Sequence, residues 1–468
     1  MKNKKPELKL SESIIILIGI LALMAVGIIG LHISPEVPIL FGIMVLIFWA
    51  KWRGFSWDHI NESFIVGIKS GILPLFIFLL IGSLIGLWIA TGIIPTLMVY
   101  GFKLINVQWF LPSVFIICGT MGAVIGSAFT VCSTLGIAFM GIGLTLGVDP
   151  AMTAGAILSG AVFGDKASPL SVSTNVAASV VHANLIDHIK NLMWSTIPAS
   201  IVAFILYAFL GQHTGHANFA NVDQTISVLQ HHFLISPISL IPVFLLFICA
   251  WVKIPTIPTL FINLLVSGIM GLLRMPGLNL VQINNVIQNG FVSHTGDKHV
   301  DMLLTRGGIA GMMGTVALIF VALSIGGLLI NLGIIKAIMV PLTSHLHSTA
   351  SLIISVIITC FGVNFFIGEQ FLSLILPGES FSKAFKDNNL APIALSRALE
   401  DGGTALTYLI PWGVAGSFVT ATLGVPTIAY LPFVFLSLFS PVFSIISAVT
   451  GFKIKYIHNP KETKTITE

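Results

Sequence analysis

Long uninterrupted apolar runs recur along this chain, at about 13–31, 73–90, 192–210, 234–252, 255–273, 309–330 and 428–449. About 18 to 20 such residues are enough for a helix to cross the hydrocarbon core of a bilayer. Inside lipid every backbone N–H and C=O must find a partner within the protein, which leaves helices or closed barrels. Runs of this length favour helices. Only 9% of the 468 residues are charged and 56% are hydrophobic, with mean hydropathy +1.00. A soluble domain has roughly a quarter of its residues charged. The fold class expected is an all-α polytopic membrane protein.

Against that background two polar runs stand out. Ser159 to Asn175 reads SGAVFGDKASPLSVSTN, and Ser396 to Thr407 reads SRALEDGGTALT, closing at Pro411 and Trp412. Charged and helix-breaking residues at membrane depth are costly, so they face protein or a water-filled path and mark function. Two such runs predict two broken elements meeting at one site.

The net charge of +4 is small and sits mostly at the ends. Lys2, Lys4, Lys5 and Lys9 precede the first run, and Lys453, Lys455, Lys461 and Lys464 follow the last. The positive-inside rule then puts both termini in the cytoplasm, with an even number of crossings. The basic start resembles the opening of a signal peptide, but no small-residue cleavage site follows, so it is read as retained. Nothing in the charge pattern suggests nucleic-acid binding. Cys118, Cys132, Cys249 and Cys360 lie in or beside apolar stretches without metal-ligand spacing and read as small buried hydrophobes. The loop expected at 211–233 carries His213, His216, His231 and His232 and no Lys or Arg, which favours the outer side; solvated histidines explain it better than a metal site. Interface-like segments are expected at 51–69 and 274–308, and a polar run at 369–389.

The chain also repeats itself. Residues 86–94 (GLWIATGII) match 327–335 (GLLINLGII) at an offset of 241, and 125–129 (IGSAF) match 367–371 (IGEQF) at 242. Asp165 is then set against Asp401, at an offset of 236. With the loop at 51–69 inside and that at 274–308 outside, the copies are inverted, although Arg274, Lys298 and Arg306 then lie externally. Inverted repeats with interrupted helices meeting near the midplane are a pattern of secondary transporters. The expected division is an N-terminal tail and two helices (1–58), repeat 1 (59–212), an external loop and linking helices (213–273), repeat 2 (274–425), and a last helix with its tail (426–468).

At this point the residues resemble a known family. Gly164-Asp-Lys-x-Ser-Pro-Leu-Ser-x-x-Thr-Asn175, followed by Asp187-His-Ile189, is similar to the NhaC family of bacterial Na+/H+ antiporters. So are Asn364, Gly368-Glu-Gln370, Leu376-Pro-Gly378, Glu400-Asp-x-Gly-Thr404 and Ile410-Pro-Trp412, over about residues 60–430. The resemblance implies a cation/proton antiporter of the ion-transporter superfamily, with a scaffold and a mobile, elevator-like transport domain; the family also includes sodium-lactate/proton-malate exchangers. Elevator-type relatives suggest a homodimer. The family pattern has an acid after Ser-Pro-Leu-Ser where this chain has Val172, which points to altered ion coupling or an organic substrate.

The chemistry expected of the site follows from sodium, a hard cation that takes oxygen ligands. Asp165 and Asp401 are the candidate Na+ ligands or proton carriers. Ser168, Ser171, Ser173, Thr174 and Asn175 offer neutral oxygens in the first run, and Thr404 and Thr407 in the second. Glu369 with Gln370 is a third candidate. At 100° per residue Asn364 and Glu369 share no face unless the backbone breaks at Gly368. Arg397 could grip an organic carboxylate; pairing with Glu400 or Asp401 is the simpler expectation. No resident cofactor is expected, Na+ being cargo. The function expected is Na+/H+ exchange in the bacterial cytoplasmic membrane, with carboxylate or amino-acid exchange second. An intramembrane aspartyl protease fits poorly because Val162 interrupts its Gly-x-Gly-Asp motif, and no phosphate loop, zinc motif or nucleophile elbow appears.

Overall fold

A computed structural model describes residues 8–104, 107–213, 219–252, 254–275, 277–344, 346 and 348–457. Two leading helices, α1 (Leu10–Met24) and α2 (Glu36–Trp52), precede the 34-residue α3 (Trp57–Ala90). Then come α4 (Ile93–Leu104), α5 (Phe110–Ile125), the one-turn α6 (Ala128–Val131), α7 (Ile137–Thr145), α8 (Pro150–Ala167), α9 (Val172–Val180) and α10 (Leu185–His213). A linking stretch holds α11 (Phe219–His232), α12 (Ile241–Trp251), α13 (Thr256–Arg274), α14 (Leu280–Asn289) and α15 (Lys298–Leu304). The remainder is α16 (Gly308–Asn331), α17 (Ile334–Ser344), α18 (Thr349–Ile367), α19 (Gln370–Asp387), α20 (Pro392–Leu399), α21 (Val414–Leu423), α22 (Thr427–Tyr430) and α23 (Phe435–Thr450). Among the described residues seven helices are long and apolar enough to cross a membrane, or ten if each bent pair is one span. The chain is a multi-pass helical membrane protein.

Its outer surface has the pattern lipid demands. Ile197, Ile201, Ile205 and Phe209 on α10 are exposed at helical spacing, as are Phe261, Leu265, Ile269 and Leu272 on α13. In water such stripes would drive aggregation; against acyl chains they need no partner.

Several boundaries differ from expectation. Residues 57–69 and 73–90 are not separate segments but one continuous helix. Ser56 caps one helix by accepting from the His59 amide (3.2 Å), Asp58 sits in its first turn, and nothing breaks the helix before Ala90 although Pro74 lies inside it. The polar run 369–389 is mostly helix α19, and half of the histidine loop is helix α11. His216, the His213 side chain, Lys2, Lys4, Lys5, Lys253, Lys461 and Lys464 lie outside the described residues.

Element borders recur at a constant spacing. α4 and α17 start 241 residues apart, and α6 and α19, α8 and α20, and α9 and α21 each start 242 apart. Gly126 and Gly368, both left-handed with φ of 73° and 75°, end α5 and α18 at the same spacing. Pro150 and Pro392 open α8 and α20, and Pro169 and Pro411 stand in the breaks that follow. In this register Asp165 corresponds to Thr407, and Asp401 to Ser159. The match of Asp165 with Asp401 is therefore replaced.

The two stretches touch through α3 and α16, which cross antiparallel. A Cβ on Gly67 would overlap the Leu323 carbonyl and the Gly327 backbone, and one on Gly82 would lie 2.6 Å from the Gly308 carbonyl. Rising numbers on α3 thus meet falling numbers on α16. Small residues permit this backbone-to-backbone approach, which dispersion rewards in a membrane.

Candidate functional site

Each of the two polar runs is a helix that stops. α8 ends at Ala167, residues 168–171 are unwound around Pro169, and α9 starts at Val172 with Ser171 as its cap (Ser171 Oγ accepts from Thr174 N, 3.4 Å). In the second run α20 passes into a π-turn, Glu400–Thr404, and the chain unwinds through Ile410 and Pro411 before α21. π-turns of this kind concentrate at functional sites. A second pair of breaks lies opposite, at Gly126–Ser127 and Gly368–Glu369, where Ser127 and Glu369 cap the helices that follow.

Asp165 sits where the first run opens. Its carboxylate accepts from Ser171 Oγ (2.7 Å) and more distantly from Ser173 Oγ (3.5 Å), while Thr174 Oγ1 donates to its backbone carbonyl (3.1 Å). No ion pair to Asp165 occurs among the described residues. Asp165 borders a cavity of about 670 Å³ whose wall also includes Pro74, Gly126, Ser127, Val172, Ser173 and Gln370. Behind it Phe418 stacks on Phe78 (4.8 Å between centroids) and meets Phe129 edge-on (5.0 Å). One carboxylate and a few hydroxyls therefore face an otherwise apolar chamber. That is the usual make-up of a small-ligand site.

Asp401 is placed differently. Its Oδ1 takes Lys166 Nζ (2.5 Å) and Ser440 Oγ (2.6 Å), and both charged side chains are fully buried. Adjacent residues thus look in different directions: Asp165 toward the cavity, Lys166 across to the second run. Asp401 is the counter-charge of Lys166, so of the two sodium candidates only Asp165 borders the cavity. A buried cation needs such a partner.

The other expected residues divide. Ser171 and Thr174 surround Asp165, and Gln370 joins them on the cavity wall. Ser168 is buried and accepts from the Leu170 amide (3.2 Å), bracing the unwound stretch. Asn175 is exposed and donates to the Pro169 and Ser171 carbonyls (2.9 and 2.6 Å), so it too holds the break's shape. Glu369 is buried, and its Oε2 accepts from the Leu372 amide (2.7 Å) at the start of α19. Gly368 does break the backbone after Asn364, whose amide donates to the Gly403 carbonyl (2.8 Å) in the π-turn. Thr404 is buried in that turn and Thr407 just beyond it.

Arg397 pairs with neither Glu400 nor Asp401; it donates to Ser447 Oγ (2.9 Å) and the Lys453 carbonyl (3.4 Å) near the end of α23. Sequence reasoning passed over Ser127, Ser440 and the pairing of Lys166 with Asp401. Ser127 had a signal, since it occupies the repeat position of Glu369. Ser440, one serine in an apolar last helix, had none. Among the described residues no group of three His, Cys, Asp or Glu could hold a metal ion, so a cation beside Asp165 draws the rest of its ligands from hydroxyl, amide and carbonyl oxygens.

Comparison with known proteins identifies the family. The family described as the Na+/H+ antiporter family matches residues 10–174 and 160–452. The Na(+)/H(+) antiporter NhaC of Alkalihalophilus pseudofirmus is 36% identical over 438 residues, covering 93% of this chain and 95% of that one. The malate-2H(+)/Na(+)-lactate antiporter of Bacillus subtilis is 35% identical, covering 87% of each chain. The arginine/ornithine antiporter ArcD of Halobacterium salinarum is 32% identical, covering 98% of this chain and 95% of that one. With a two-run site on a multi-pass helical frame and relatives matched nearly end to end, this chain belongs to the Na+/H+ antiporter family.

Proposed function

We propose that this chain exchanges Na+ for H+ across a bacterial cytoplasmic membrane by alternating access, with Asp165 as the shared site. The observation that carries the reading is a buried carboxylate with no ion-pair partner among the described residues, served by Ser171 and Ser173 hydroxyls at the edge of a cavity. A hydroxyl that donates to a carboxylate can turn its lone pair to a cation when one arrives. One carboxylate thus holds either a proton or Na+, and their competition links the two fluxes. Thr174 pins the Asp165 backbone, and Ser168 and Asn175 keep the break open. Lys166–Asp401 joins the two runs, so a change at one is felt at the other.

The recurring borders and the antiparallel α3–α16 crossing support two inverted repeats, with a scaffold and an elevator-like transport domain. They favour units of about 57–213 and 298–450, so the second copy takes in the last helix, beyond the border at 425 expected from sequence. Lys9 before α1 and Lys453 and Lys455 after α23 support cytoplasmic termini. Lys453 Nζ stands 4.4 Å from the Trp194 ring centroid, a pairing suited to the headgroup layer. A homodimer is proposed on the same footing.

A second reading, exchange of a small carboxylate or amino acid coupled to Na+ or H+, draws on the cavity itself. About 670 Å³ is far more than one bare ion requires, and Val172 is exposed on its wall. Proton movement in proteoliposomes decides between them. Under the first reading, external Na+ alone drives proton efflux in wild type, and Asp165→Asn reduces it to background. A response only when a carboxylate or amino acid is supplied would install the second.

A further inference from the structure

The second run holds a group of buried oxygens that the Asp165 site does not use. Glu400, Thr404 and Asn364 are each wholly buried, and among the described residues none lines the 670 Å³ cavity. Glu400 and Thr404 lie one turn apart on the π-turn, and Asn364 is tied to that turn through the Gly403 carbonyl. The Thr404 hydroxyl turns toward the Glu400 carboxylate without good hydrogen-bond geometry, and beyond that neither Glu400 oxygen nor Asn364 Oδ1 has a partner among the described residues. Nearby cations are already engaged: Lys166 with Asp401 and Ser440, Arg397 with Ser447 and the Lys453 carbonyl. Buried polar atoms are nearly always satisfied, so several acceptors left open around one turn point to something they receive.

Their state is not an accident of helix packing. Buried threonines in helices usually return their hydroxyl to a carbonyl one turn back, as Thr91 and Thr134 do at 2.7 Å. Thr404 does not. The Asn364 amide is anchored through its nitrogen, which leaves its oxygen free. Nor does the backbone require polar residues here: 242 positions earlier, in the matching elements, the same places hold Leu158, Val162 and Gly122. The first copy fills this space with apolar side chains and the second with a carboxylate, a hydroxyl and an amide.

We propose that Glu400, Thr404 and Asn364 form a second cation site, which takes one Na+ in addition to that at Asp165. A carboxylate that gives up its proton as the ion arrives, with two neutral oxygens beside it, suits a hard monovalent cation, and the irregular turn offers backbone carbonyls to complete its shell. This inference rests on the cation-exchange reading above.

Equilibrium binding of radioactive sodium to the purified full-length protein tests it. Wild type is expected to saturate near about two ions per chain and Glu400→Gln near about one; Asp165→Asn also keeps about one, and the double variant none. Thr404→Val should weaken the second ion by about tenfold or more, as loss of even an outer partner does at metal sites. Should Glu400→Gln misfold, Glu400→Leu with Thr404→Val imitates the first copy, and should fold and bind one ion. A wild type that binds one ion, unchanged in that variant, overturns the second site and leaves the exchange reading standing. A wild type that binds none removes both.

Discussion

At the scale of single residues the site turns on neighbours with opposite tasks. Lys166 is fully buried and its charge is balanced by Asp401. Lys166→Met alone should destabilise the protein by about 3–5 kcal/mol, since it strands a buried carboxylate, while Lys166→Met with Asp401→Leu should recover most of that loss. Thermal unfolding in detergent reads both. Equal damage in the single and double variants would show that the pair does more than balance charge.

The polar runs themselves were plain in the sequence, because a charge among apolar residues is conspicuous. Their pairing was not. Lys166 and Asp401 lie 235 positions apart, and no local pattern ties a lysine to a distant carboxylate. The offset of 236 that set Asp165 against Asp401 shows how a shared residue type can pull an alignment out of register. Pro150 with Pro392 and Pro169 with Pro411 mark helix starts and breaks, and these borders recur 242 residues apart. Val172 was legible as a departure from the family pattern, and it does face the cavity.

At the scale of elements the breaks matter most. Gly368 has φ of 75°, and a Cβ there would lie 3.2 Å from the Gly413 Cα and 3.6 Å from the Trp412 carbonyl. Gly368→Ala should cost about 1–2 kcal/mol from backbone strain alone and shift α19 relative to the second run. A melting temperature matching wild type would show that the break tolerates a side chain. Glu369 was expected as an ion carrier from its type; its position also makes it the cap of α19, a place that Ser127 takes without charge at the start of α6.

Outside the spans, Asp301 on α15 organises the preceding loop. It accepts from the Thr295 amide and hydroxyl and from Ser293 Oγ, all at 2.7 Å, and from the Gly296 amide at 3.2 Å. These donors, the Thr295 amide foremost, hold its pKa down to about 2 against a usual 3.8. A depressed carboxyl pKa stabilises the loop fully above the unfolded value and loses that effect as pH falls from about 4 toward 2. Hydrogen-exchange protection of the Thr295 and Gly296 amides should therefore decline over that window in wild type. In Asp301→Asn it should be low and flat throughout.

At the scale of the whole molecule, α3 and α16 pack against each other along a glycine seam. Gly67→Val would press a branched side chain into the Leu323 carbonyl and the Gly327 backbone. The expected loss is about 3 kcal/mol or more, beyond ordinary overpacking because the obstacle is backbone. Unfolding temperature measures the loss. If both stability and transport survive, the seam opens more easily than its glycines suggest. Composition alone revealed the spans, but this crossing was hidden: glycines in a membrane helix say that something comes close, never what.

In the inverted arrangement proposed above, the two copies match in backbone register but not in charge. Where the first has Asp165 the second has Thr407, and where the second has Asp401 the first has Ser159. Turning the molecule end over end therefore exchanges acids for hydroxyls. A perfectly mirrored carrier would rest equally often with its mouth on either side. This one is lopsided by construction, and its resting population should favour one face of the membrane before any gradient is applied, like a turnstile hung on a slope.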